Sequence, residues 1–362
     1  MKIVQLLPEL NEGGVECGVV ELNRELVKKG FESIVISNGG KLVEQIQRDG
    51  GIHIKYNICS KNPFSAVFRI FGLRKIVKKI KPDILHVRSR VPAWLVNFAN
   101  KSLRIKVVST VHGFNSVGYY SKIMQEADEV ICVSNAIKEY IIKNYQTEEK
   151  KITVINDGID TQKFNKNNLD ISFIENFKKE FDLENSFIVT SVGRVTQLKC
   201  YEDFIGAVAI LKKSIPNIRG VIVGGVREDK MKYFESLKQK VNELKLDSNI
   251  KFALSQTKVA EIYSLSDVVV SSSKKPEAFG RSVAEAISLN TPVVATNHGG
   301  VKDIIIEGEN GYLSEVNNIN LLAQTILKAS KLKFNGLKYI EENFSLEQMV
   351  EKTIYVYKKV LK

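Results

Sequence analysis

The chain has 362 residues and carries 53 Lys and Arg against 41 Asp and Glu, a formal net charge of +12. This length favours two domains over one, and the charge predicts an anionic partner such as a nucleotide, a nucleic acid or an acidic lipid surface. Four scattered cysteines predict neither a disulfide framework nor a zinc site and favour the reducing cytosol, and no apolar run approaches the roughly 18 residues needed to cross a bilayer.

Strand-like apolar runs alternate with helix-like periodic segments in the first half of the chain, an order typical of parallel α/β domains. The predicted strands are 2–7, 33–37, 52–55, 84–87, 106–111, 129–133 and 152–155, and the predicted helices are 16–29, 66–80 and 134–145. The N-terminal apolar run is too short for a signal peptide, so we interpret it as the first strand.

The alternation restarts after the segments 156–160 and 165–170, which mark a crossing between two domains. The predicted strands of the second half are 187–192, 220–223, 249–252, 268–271, 292–295 and 311–313, and the predicted helices are 201–213, 230–244, 259–264, 281–289, 319–329 and 345–362. The sequence therefore predicts two Rossmann-like units. Neither contains a Gly-x-Gly-x-x-Gly or a Walker motif, which weighs against a dinucleotide oxidoreductase and a P-loop phosphotransferase.

The most informative stretch is Ser273-Lys-Lys-Pro-Glu-Ala-Phe-Gly-Arg-Ser-Val-Ala-Glu-Ala286, which places Glu277 and Glu285 on either side of a short loop. The loop follows a predicted strand and opens a predicted helix, which is where open α/β sheets bind ligands and where backbone N–H groups can face a phosphate. Two carboxylates there can accept hydrogen bonds from sugar hydroxyls. The pattern predicts a nucleotide-sugar site, and its alternative is an exposed Glu285 on a helix surface with Glu277 in a mobile loop.

Two cations, Arg194 and Lys199, follow the first predicted strand of the second half. Positive charge in the loop that leads into a helix can neutralise a diphosphate, and the arginine fork can bind its oxygens bidentately. Taken on spacing alone, two solvated surface cations are the more common outcome.

Several motifs stand in a characteristic order along the chain. They are Gly13-Gly-Val-Glu16, Val111-His112-Gly113, Asn156-x-Gly158-x-Asp160, Gly193-Arg194-x4-Lys199, the stretch from Ser273 to Ala286, Thr291-Pro-Val-Val-Ala295, Gly299-Gly300 and Gly308-x2-Gly311. Together they resemble the signature of the retaining glycosyltransferases of family 4. The chain departs from that signature at Cys200 and Asn290, where glycine is common, and at Asp303, where glutamate is common.

The resemblance implies the α/β fold called GT-B, in which two Rossmann-like domains face each other across a cleft. It implies an acceptor-binding domain over 1–165, a nucleotide-sugar-binding domain over 166–344, and a C-terminal helix over 345–362 that returns to the N-terminal domain. It implies no divalent metal and no cofactor, since Arg194, Lys199 and backbone N–H groups stabilise the leaving nucleoside diphosphate.

Roles for individual residues also come from the resemblance. Glu285 is expected at the ribose hydroxyls, Glu277 at the transferred sugar, and Arg194 and Lys199 at the pyrophosphate. The other residues expected around the donor are Gly13, Gly14, Ala278, Phe279, Gly280 and Arg281, and His112 is expected at the transferred sugar. For an isolated histidine or Gly-Gly pair, a purely structural role is the more common one.

The acceptor side is less defined. His86, Arg88 and Arg90 lie at or after a predicted strand end and are candidates for receiving an anionic acceptor group, or are surface residues. The segment 61–81 holds seven Lys and Arg and no acid, so it can rest on anionic lipid headgroups. We expect its apolar side to cover the sheet, as in an ordinary Rossmann helix, with electrostatic docking through the lysines.

The sequence therefore predicts a retaining, metal-independent glycosyltransferase that moves a sugar from a nucleoside-diphosphate sugar to a glycan or lipid-linked glycan. Synthesis of a cell-envelope polysaccharide or lipopolysaccharide is the expected context, in the cytoplasm or on the inner face of the membrane. The nearer alternative is a nucleotide-sugar epimerase or hydrolase on a related fold. A nucleic-acid-binding protein is more distant, because the sequence has no aromatic RNA-binding signature and no helix-turn-helix pattern.

Overall fold

A computed structural model of the protein describes residues 1–11 and 13–362. Contacts divide these residues into unit 1, formed by 1–158 together with 346–362, and unit 2, formed by 159–345. The first break follows Gly158, whereas the sequence placed it at 165. A Cβ atom at position 158 would lie 2.6 Å from Leu346 Cα, so glycine is needed where the chain passes the start of the final helix.

Unit 1 is built on a parallel sheet whose order, in the described residues, is β3-β2-β1-β4-β5-β6-β7. Its strands are β1 (Lys2–Leu6), β2 (Glu32–Ser37), β3 (Ile52–Lys55), β4 (Ile84–Val87), β5 (Lys106–Val111), β6 (Glu129–Cys132) and β7 (Ile152–Val154). The helices that connect them are α1 (Gly14–Lys28), α2 (Val43–Arg48), α3 (Pro63–Ile80), α4 (Arg90–Ala99), α5 (Tyr119–Lys122) and α6 (Asn135–Tyr145). The central strands are almost entirely buried, as expected of a parallel sheet covered on both faces.

Unit 2 repeats this architecture with the parallel order β10-β9-β8-β11-β12-β13 in the part of the chain described. Its strands are β8 (Phe187–Val192), β9 (Ile218–Val223), β10 (Ile250–Leu254), β11 (Val268–Ser271), β12 (Val293–Thr296) and β13 (Gly311–Ser314). Its helices are α7 (Ile171–Glu180), α8 (Tyr201–Leu211), α9 (Met231–Glu243), α10 (Val259–Ser264), α11 (Arg281–Ser288), α12 (Ile319–Ala329) and α13 (Gly336–Asn343). In both units the sheet order reverses next to the first strand, which creates a topological switch point.

The last helix, α14 (Leu346–Leu361), belongs to unit 1. Its buried residues Leu346, Val350, Ile354, Val356 and Tyr357 share one apolar cluster with residues of β1, α1, β4 and β5. Lys359 Nζ also lies 2.8 Å from Glu129 Oε1 at the start of β6. The predicted return of this helix to the N-terminal domain is confirmed.

The orientation of α3 differs from the prediction. Asn62 caps the helix by accepting a 2.9 Å hydrogen bond from the Phe64 N–H, and Pro63 is its first residue, so the helix begins before position 66. The residues that it buries are Arg69, Leu73 and Val77, whereas Phe64, Val67, Phe68 and Phe71 are exposed. The expected apolar contact with the sheet is therefore wrong for these four residues, because the buried side of the helix is formed by Arg69, Leu73 and Val77, which are spaced four residues apart.

The helices α2, α4, α5, α7 and α13 were not predicted from the sequence. Among residues 1–11 and 13–362, no helix has both the length and the apolar content required to span a membrane.

Candidate functional site

The loop between β11 and α11 joins a carboxylate to a lysine in unit 2. Glu277 Oε1 lies 2.5 Å from Lys199 Nζ and accepts a 2.5 Å hydrogen bond from Ser273 Oγ. Burial opposes the ionisation of Glu277, but Lys199 and Ser273 outweigh it and hold the pKa of Glu277 below its usual value. The side chains of Lys199 and Glu277 are 26% and 24% exposed, so a ligand can reach this ionised pair.

Lys199 reaches Glu277 because the loop after β8 is tied to the loop after β11. Ser272 Oγ lies 3.0 Å from the carbonyl oxygens of both Lys199 and Cys200, and its single proton can be shared between these two acceptors. A Cβ atom at Gly193 would lie 2.8 Å from Lys199 Cε, so glycine at 193 leaves room for the lysine side chain. The two strands are neighbours in the sheet, which places both loops at one carboxyl edge.

Arg194 occupies the same loop as Lys199 but is not drawn into the pair. Its side chain is exposed and, within the described residues, makes neither a hydrogen bond nor an ion pair. The structure therefore brings Lys199 and Glu277 together and leaves the Arg194 guanidinium in solvent.

Glu285 lies one turn inside α11 and is held on two sides. Tyr263 Oη donates a 3.2 Å hydrogen bond to Glu285 Oε2, and Arg281 Nε lies 3.4 Å from Oε1. Burial and the nearby carboxylate raise the pKa of Tyr263, so the phenol remains a donor. The carboxylate is 13% exposed, so it is fixed in position rather than free on a helix surface.

Three glycines fix the path of the loop that carries Glu277. Gly280 has a φ of 109° and precedes the first residue of α11, and Gly299 has a φ of 75° in the loop after β12. The Gly300 N–H donates a 2.8 Å hydrogen bond to the Glu277 carbonyl oxygen. A Cβ at Gly300 would lie 2.6 Å from Phe279 Cα, so the two loops pack backbone against backbone.

The segment from Ala278 to Arg281, predicted to hold a diphosphate, forms the entry to α11. Phe279 is buried and its ring packs 5.8 Å from that of Phe344, which anchors the segment. The first N–H groups of a helix have no partner within the helix, so they are available to an anion.

His298 has a structural position in this loop. Its Nε2 lies 2.8 Å from the Ser273 carbonyl oxygen and 3.0 Å from Thr296 Oγ1. By donating a ring N–H to the Ser273 carbonyl, His298 fixes the position of Ser273, whose hydroxyl binds Glu277.

The two departures from the family signature at glycine positions share one conformation. Cys200 has a φ of 51° and Asn290 a φ of 54°, both in the left-handed region that glycine favours. Asparagine tolerates this left-handed region better than most residues. Asn290 Oδ1 also accepts a 2.7 Å hydrogen bond from the Gly336 N–H, which offsets part of the conformational cost. Burial raises the pKa of the Cys200 thiol to about 12, so the thiol is neutral.

In unit 1, Gly13 and Gly14 form the start of α1. A Cβ atom at Gly13 would collide with the carboxylate of Glu16, which folds back over the first turn. Glycine at this position therefore allows the acidic side chain to approach the helix N-terminus, where negative charge is stabilising.

His112 follows β5 and lies between a cation and an anion. Arg88 Nη1 lies 3.5 Å from His112 Nε2, and Asp157 Oδ1 lies 4.0 Å from its Nδ1. Since guanidinium groups only donate, this contact uses Nε2 as an acceptor and leaves the proton on Nδ1, towards Asp157. The side chain of His112 is 10% exposed.

The acceptor-side candidates lie in different surroundings. His86 has no exposed surface, and its ring nitrogens contact Tyr357 Oη at 2.6 Å and Thr110 Oγ1 at 2.7 Å. The structure places it in the core rather than where an acceptor could touch it, because α14 covers the strand end. Arg88 is also buried, with Nη2 2.7 Å from Gln5 Oε1, whereas Arg90 lies partly exposed with Nη1 3.0 Å from Ser121 Oγ.

Two residues of the site were missed in the sequence. Ser273 begins the loop motif, but nothing in the motif shows that its hydroxyl binds Glu277. Tyr263 lies on α10, far from the motif in sequence, and no local pattern connects it with Glu285. Among the described residues, no three His, Cys, Asp or Glu side chains are grouped so that they could hold a metal ion.

Two profiles of known protein families match this chain and together cover most of it. The family profile described as Glycosyl transferases group 1 matches residues 172–344, and the profile described as Glycosyltransferase Family 4 matches residues 12–163.

Similar individual proteins span the whole chain. A crystal structure of a glycosyltransferase from Rickettsia africae ESF-5 is 31% identical, with a TM-score of 0.90, over 100% of this chain and 98% of that one. An Escherichia coli relative, UDP-Gal:alpha-D-GlcNAc-diphosphoundecaprenol alpha-1,3-galactosyltransferase, is 28% identical over 96% of this chain and 94% of its own. Anabaena Alr3699/HepE, solved in complex with UDP and glucose, shares the fold with a TM-score of 0.87 at 19% identity, over 99% of this chain and 100% of that one.

Proposed function

The chain belongs to the glycosyltransferase family of group 1 and family 4 enzymes, with the GT-B fold, and on that premise we propose that it transfers a sugar from a nucleoside-diphosphate sugar to a glycan or lipid-linked glycan. The observation that carries the proposal is the ionised Lys199–Glu277 pair, held 2.5 Å apart at the carboxyl edge of the unit 2 sheet. Such a pair offers a cation to a phosphate and a carboxylate to a hydroxyl within one small site.

Lys199 and Arg194 neutralise the donor pyrophosphate in this proposal. Lys199 is prepositioned by Glu277, whereas the exposed Arg194 side chain closes onto the phosphates when donor binds. The N–H groups at the start of α11 provide a third source of positive potential. Fixed protein charge in this arrangement stabilises the leaving nucleoside diphosphate as negative charge develops.

The two glutamates bind hydroxyl groups. Glu285, oriented by Tyr263 and Arg281, accepts from the ribose hydroxyls. Glu277 accepts from the transferred sugar and supports positive charge at its anomeric carbon. Following the family resemblance, we assign Gly14 to the donor phosphate and His112 to the transferred sugar.

Transfer proceeds with retention of configuration and without a divalent metal. The acceptor hydroxyl attacks from the face that the leaving group departs from, and a donor phosphate oxygen takes its proton. The new glycosidic bond forms as the bond to the diphosphate breaks, so no protein base is required.

The acceptor is a component of a cell-envelope polysaccharide or lipopolysaccharide, carried on a lipid. The E. coli relative is named for a diphosphoundecaprenol-linked acceptor, which supports this choice. The enzyme works in the cytoplasm, held at the inner membrane face by the basic segment 61–81, whose lysines attract anionic headgroups.

Nucleotide binding tests the donor site. We expect Lys199→Ala and Glu285→Ala each to weaken the binding of the preferred nucleotide, chosen by thermal shift from UDP, GDP, dTDP and ADP, by roughly tenfold, since each removes one charge-assisted hydrogen bond. Isothermal calorimetry measures the change.

Lys328→Ala and Glu180→Ala are matched controls, because both residues are exposed at the ends of α12 and α7 that lie away from the carboxyl edge of the sheet. They should bind nucleotide as the wild type does. Wild-type affinity in both site variants would remove the proposed donor site.

A further inference from the structure

One face of α3 is apolar in its first half and exposed to solvent. Phe64, Phe68 and Phe71 are 86%, 79% and 65% exposed, and Val67 lies beside them. Their spacing places all four on one side of the helix. Exposed phenylalanine is unusual in a soluble protein surface, and a contiguous apolar stripe marks an interaction site.

The same face becomes basic in the second half of the helix. Lys75, Lys78 and Lys79 continue the stripe at helical spacing and are exposed, and the whole segment contains no acidic residue. Such a stripe suits the surface of a bilayer: its apolar half can enter the hydrocarbon region, and its cationic half can contact the anionic headgroups.

An aromatic cluster extends this surface onto α4 and α5. The ring of Trp94 lies 5.9 Å from that of Phe98, 5.5 Å from that of Tyr119 and 6.4 Å from that of Tyr120. Tyr119 and Tyr120 are exposed. Trp and Tyr concentrate at membrane–water interfaces because one end of each ring is apolar and the other polar.

A groove of about 230 Å³ lies between α3 and α4, beside the aromatic cluster. Most of its wall is apolar and comes from Pro63, Ala66, Ile70, Trp94, Leu95 and Phe98. A hydrocarbon chain fits such a wall better than a sugar or a peptide backbone would, because it leaves no polar group unpaired.

Arg69 adds a buried positive charge to the groove. The side chain is 7% exposed and lines the groove, with Nη2 donating a 2.9 Å hydrogen bond to the Asn62 carbonyl oxygen. Its Nε and Nη1 have no partner among the described residues. A buried guanidinium with free donors is costly unless an anion completes it.

We propose that this groove binds one anionic membrane lipid, with its phosphate at Arg69 and its hydrocarbon chain along Ile70, Trp94 and Phe98, while Phe64 and Phe68 enter the bilayer. The inference rests on the proposed contact with an anionic membrane and narrows it to a lipid site, but it does not depend on sugar transfer. The sequence-based expectation was that the lysines of 61–81 alone contact the membrane; this proposal adds a contact through exposed phenylalanines and a lipid-binding groove.

The single tryptophan of the chain, Trp94, reports on this groove directly. Vesicles of phosphatidylcholine with phosphatidylglycerol should shift its emission to the blue, and lipids brominated on the acyl chain should quench it. Inorganic phosphate alone should produce neither change, which separates a lipid from a free anion. Absence of quenching by acyl-chain bromine would overturn the lipid site.

Two sets of variants locate the contact. The double variant Phe64→Ser/Phe68→Ser should bind the vesicles roughly tenfold or more weakly, since it removes two apolar side chains from the bilayer. Tyr355→Ser, which changes an aromatic residue on α14 that is also largely exposed, is its control and should bind normally. Arg69→Met should weaken binding to anionic vesicles roughly fivefold, and more than Arg74→Met, an exposed charge on the same helix.

The outcomes separate this inference from the proposed function. Vesicle binding could weaken with added salt and yet be the same in the wild type, the Phe64→Ser/Phe68→Ser variant and Arg69→Met. That result would contradict the lipid site but would still support electrostatic docking through the lysines. Concentration-dependent dimerisation through the stripe, measured by light scattering, would contradict it in favour of a second copy of the chain. Nucleotide binding and transfer to a water-soluble acceptor should be normal in all these variants.

Discussion

The Lys199–Glu277 pair holds two residues of the proposed donor site together by their opposite charges. Two opposite charges that are about three-quarters buried are stable together, but either one alone would be costly. In the proposed donor site, a phosphate that attracts Lys199 weakens its attraction to Glu277. A sugar hydroxyl that donates to Glu277 would compensate for this loss, so the two proposed substrate contacts should favour each other.

The effect of Lys199 on the ionisation of Glu277 predicts that the stability of Lys199→Met depends on pH differently from that of the wild type. In the wild type the folded-state pKa of Glu277 is lowered, so its contribution is present above the unfolded-state pKa and lost as pH falls through the folded value. Without Lys199, burial raises the folded-state pKa above the unfolded one. The variant should therefore lose roughly 1–3 kcal/mol of unfolding free energy as pH rises from about 4 to about 8.

Denaturant unfolding across this pH range measures the effect. The double variant Lys199→Met/Glu277→Gln is the control and should lack the loss, because the glutamine cannot ionise. A single variant whose stability changes with pH as the wild type does would show that the lysine does not set the ionisation of Glu277.

Single residues also show where sequence reasoning succeeds and where it stops. The positions of Glu277, Glu285 and Lys199 around one sheet edge follow from motif spacing on predicted elements. Tyr263 and the burial of His86 do not, because both depend on a helix distant in sequence that packs against the residue. The local pattern around His86 is the same whether or not α14 covers it.

Among the elements, α3 and α14 give contrasting results. The return of α14 was predicted through the family resemblance, and its period-3.6 apolar face leaves one way to pack. In α3 apolar residues occur on more than one side, so periodicity alone cannot decide which side is buried. The choice is made by contact with α4, which no local property of α3 encodes.

The contact between α14 and β4 predicts a stability effect for Tyr357→Phe. Burial, together with the neighbouring Arg88 and His112, lowers the pKa of His86 well below its usual value, so its ring is neutral. One ring nitrogen donates a hydrogen bond and the other accepts one, with Tyr357 and Thr110 as the partners. Removing the hydroxyl leaves a buried ring nitrogen unsatisfied. We expect a loss of about 1–3 kcal/mol in the free energy of unfolding of unit 1.

The unfolding of unit 1 in Tyr357→Phe can be followed by Trp94 fluorescence in a denaturant titration, since the tryptophan lies in this unit. Tyr355→Phe, on the same helix but 69% exposed, should not change the midpoint. Equal midpoints for the two variants would mean that the His86 contact adds nothing to the docking of α14.

At the scale of the whole molecule, both parallel sheets and their place in the GT-B fold could be predicted from alternation and family signature. Sequence could not fix the break at Gly158, because it depends on the approach of Leu346. The helices α4 and α7 were not predicted although both are amphipathic, since each is only ten residues long, at the lower limit at which a helical period can be recognised. The donor, the acceptor and the linkage depend on pocket shape, which no pattern in the chain expresses.

The proposed chemistry of the intact enzyme predicts activity without divalent ions. Lys199, Arg194 and the start of α11 supply fixed positive charge to the diphosphate, so we expect full transferase activity in excess EDTA. Release of nucleoside diphosphate from the accepted nucleotide sugar, in the presence of acceptor, measures it. Activity that is lost in EDTA and restored by Mg²⁺ would contradict the metal-free proposal.

The membership of α14 in unit 1 has a consequence for biosynthesis. All of unit 2 is translated before the ribosome reaches Leu346, so this unit can close its core while the first one still lacks Val350, Ile354 and Tyr357. The half that is made first is completed last. Until Tyr357 has been translated, the face of the unit 1 sheet that α14 covers lacks that helix, and a polypeptide that stops before Leu346 keeps all of unit 2 but leaves the core of unit 1 incomplete.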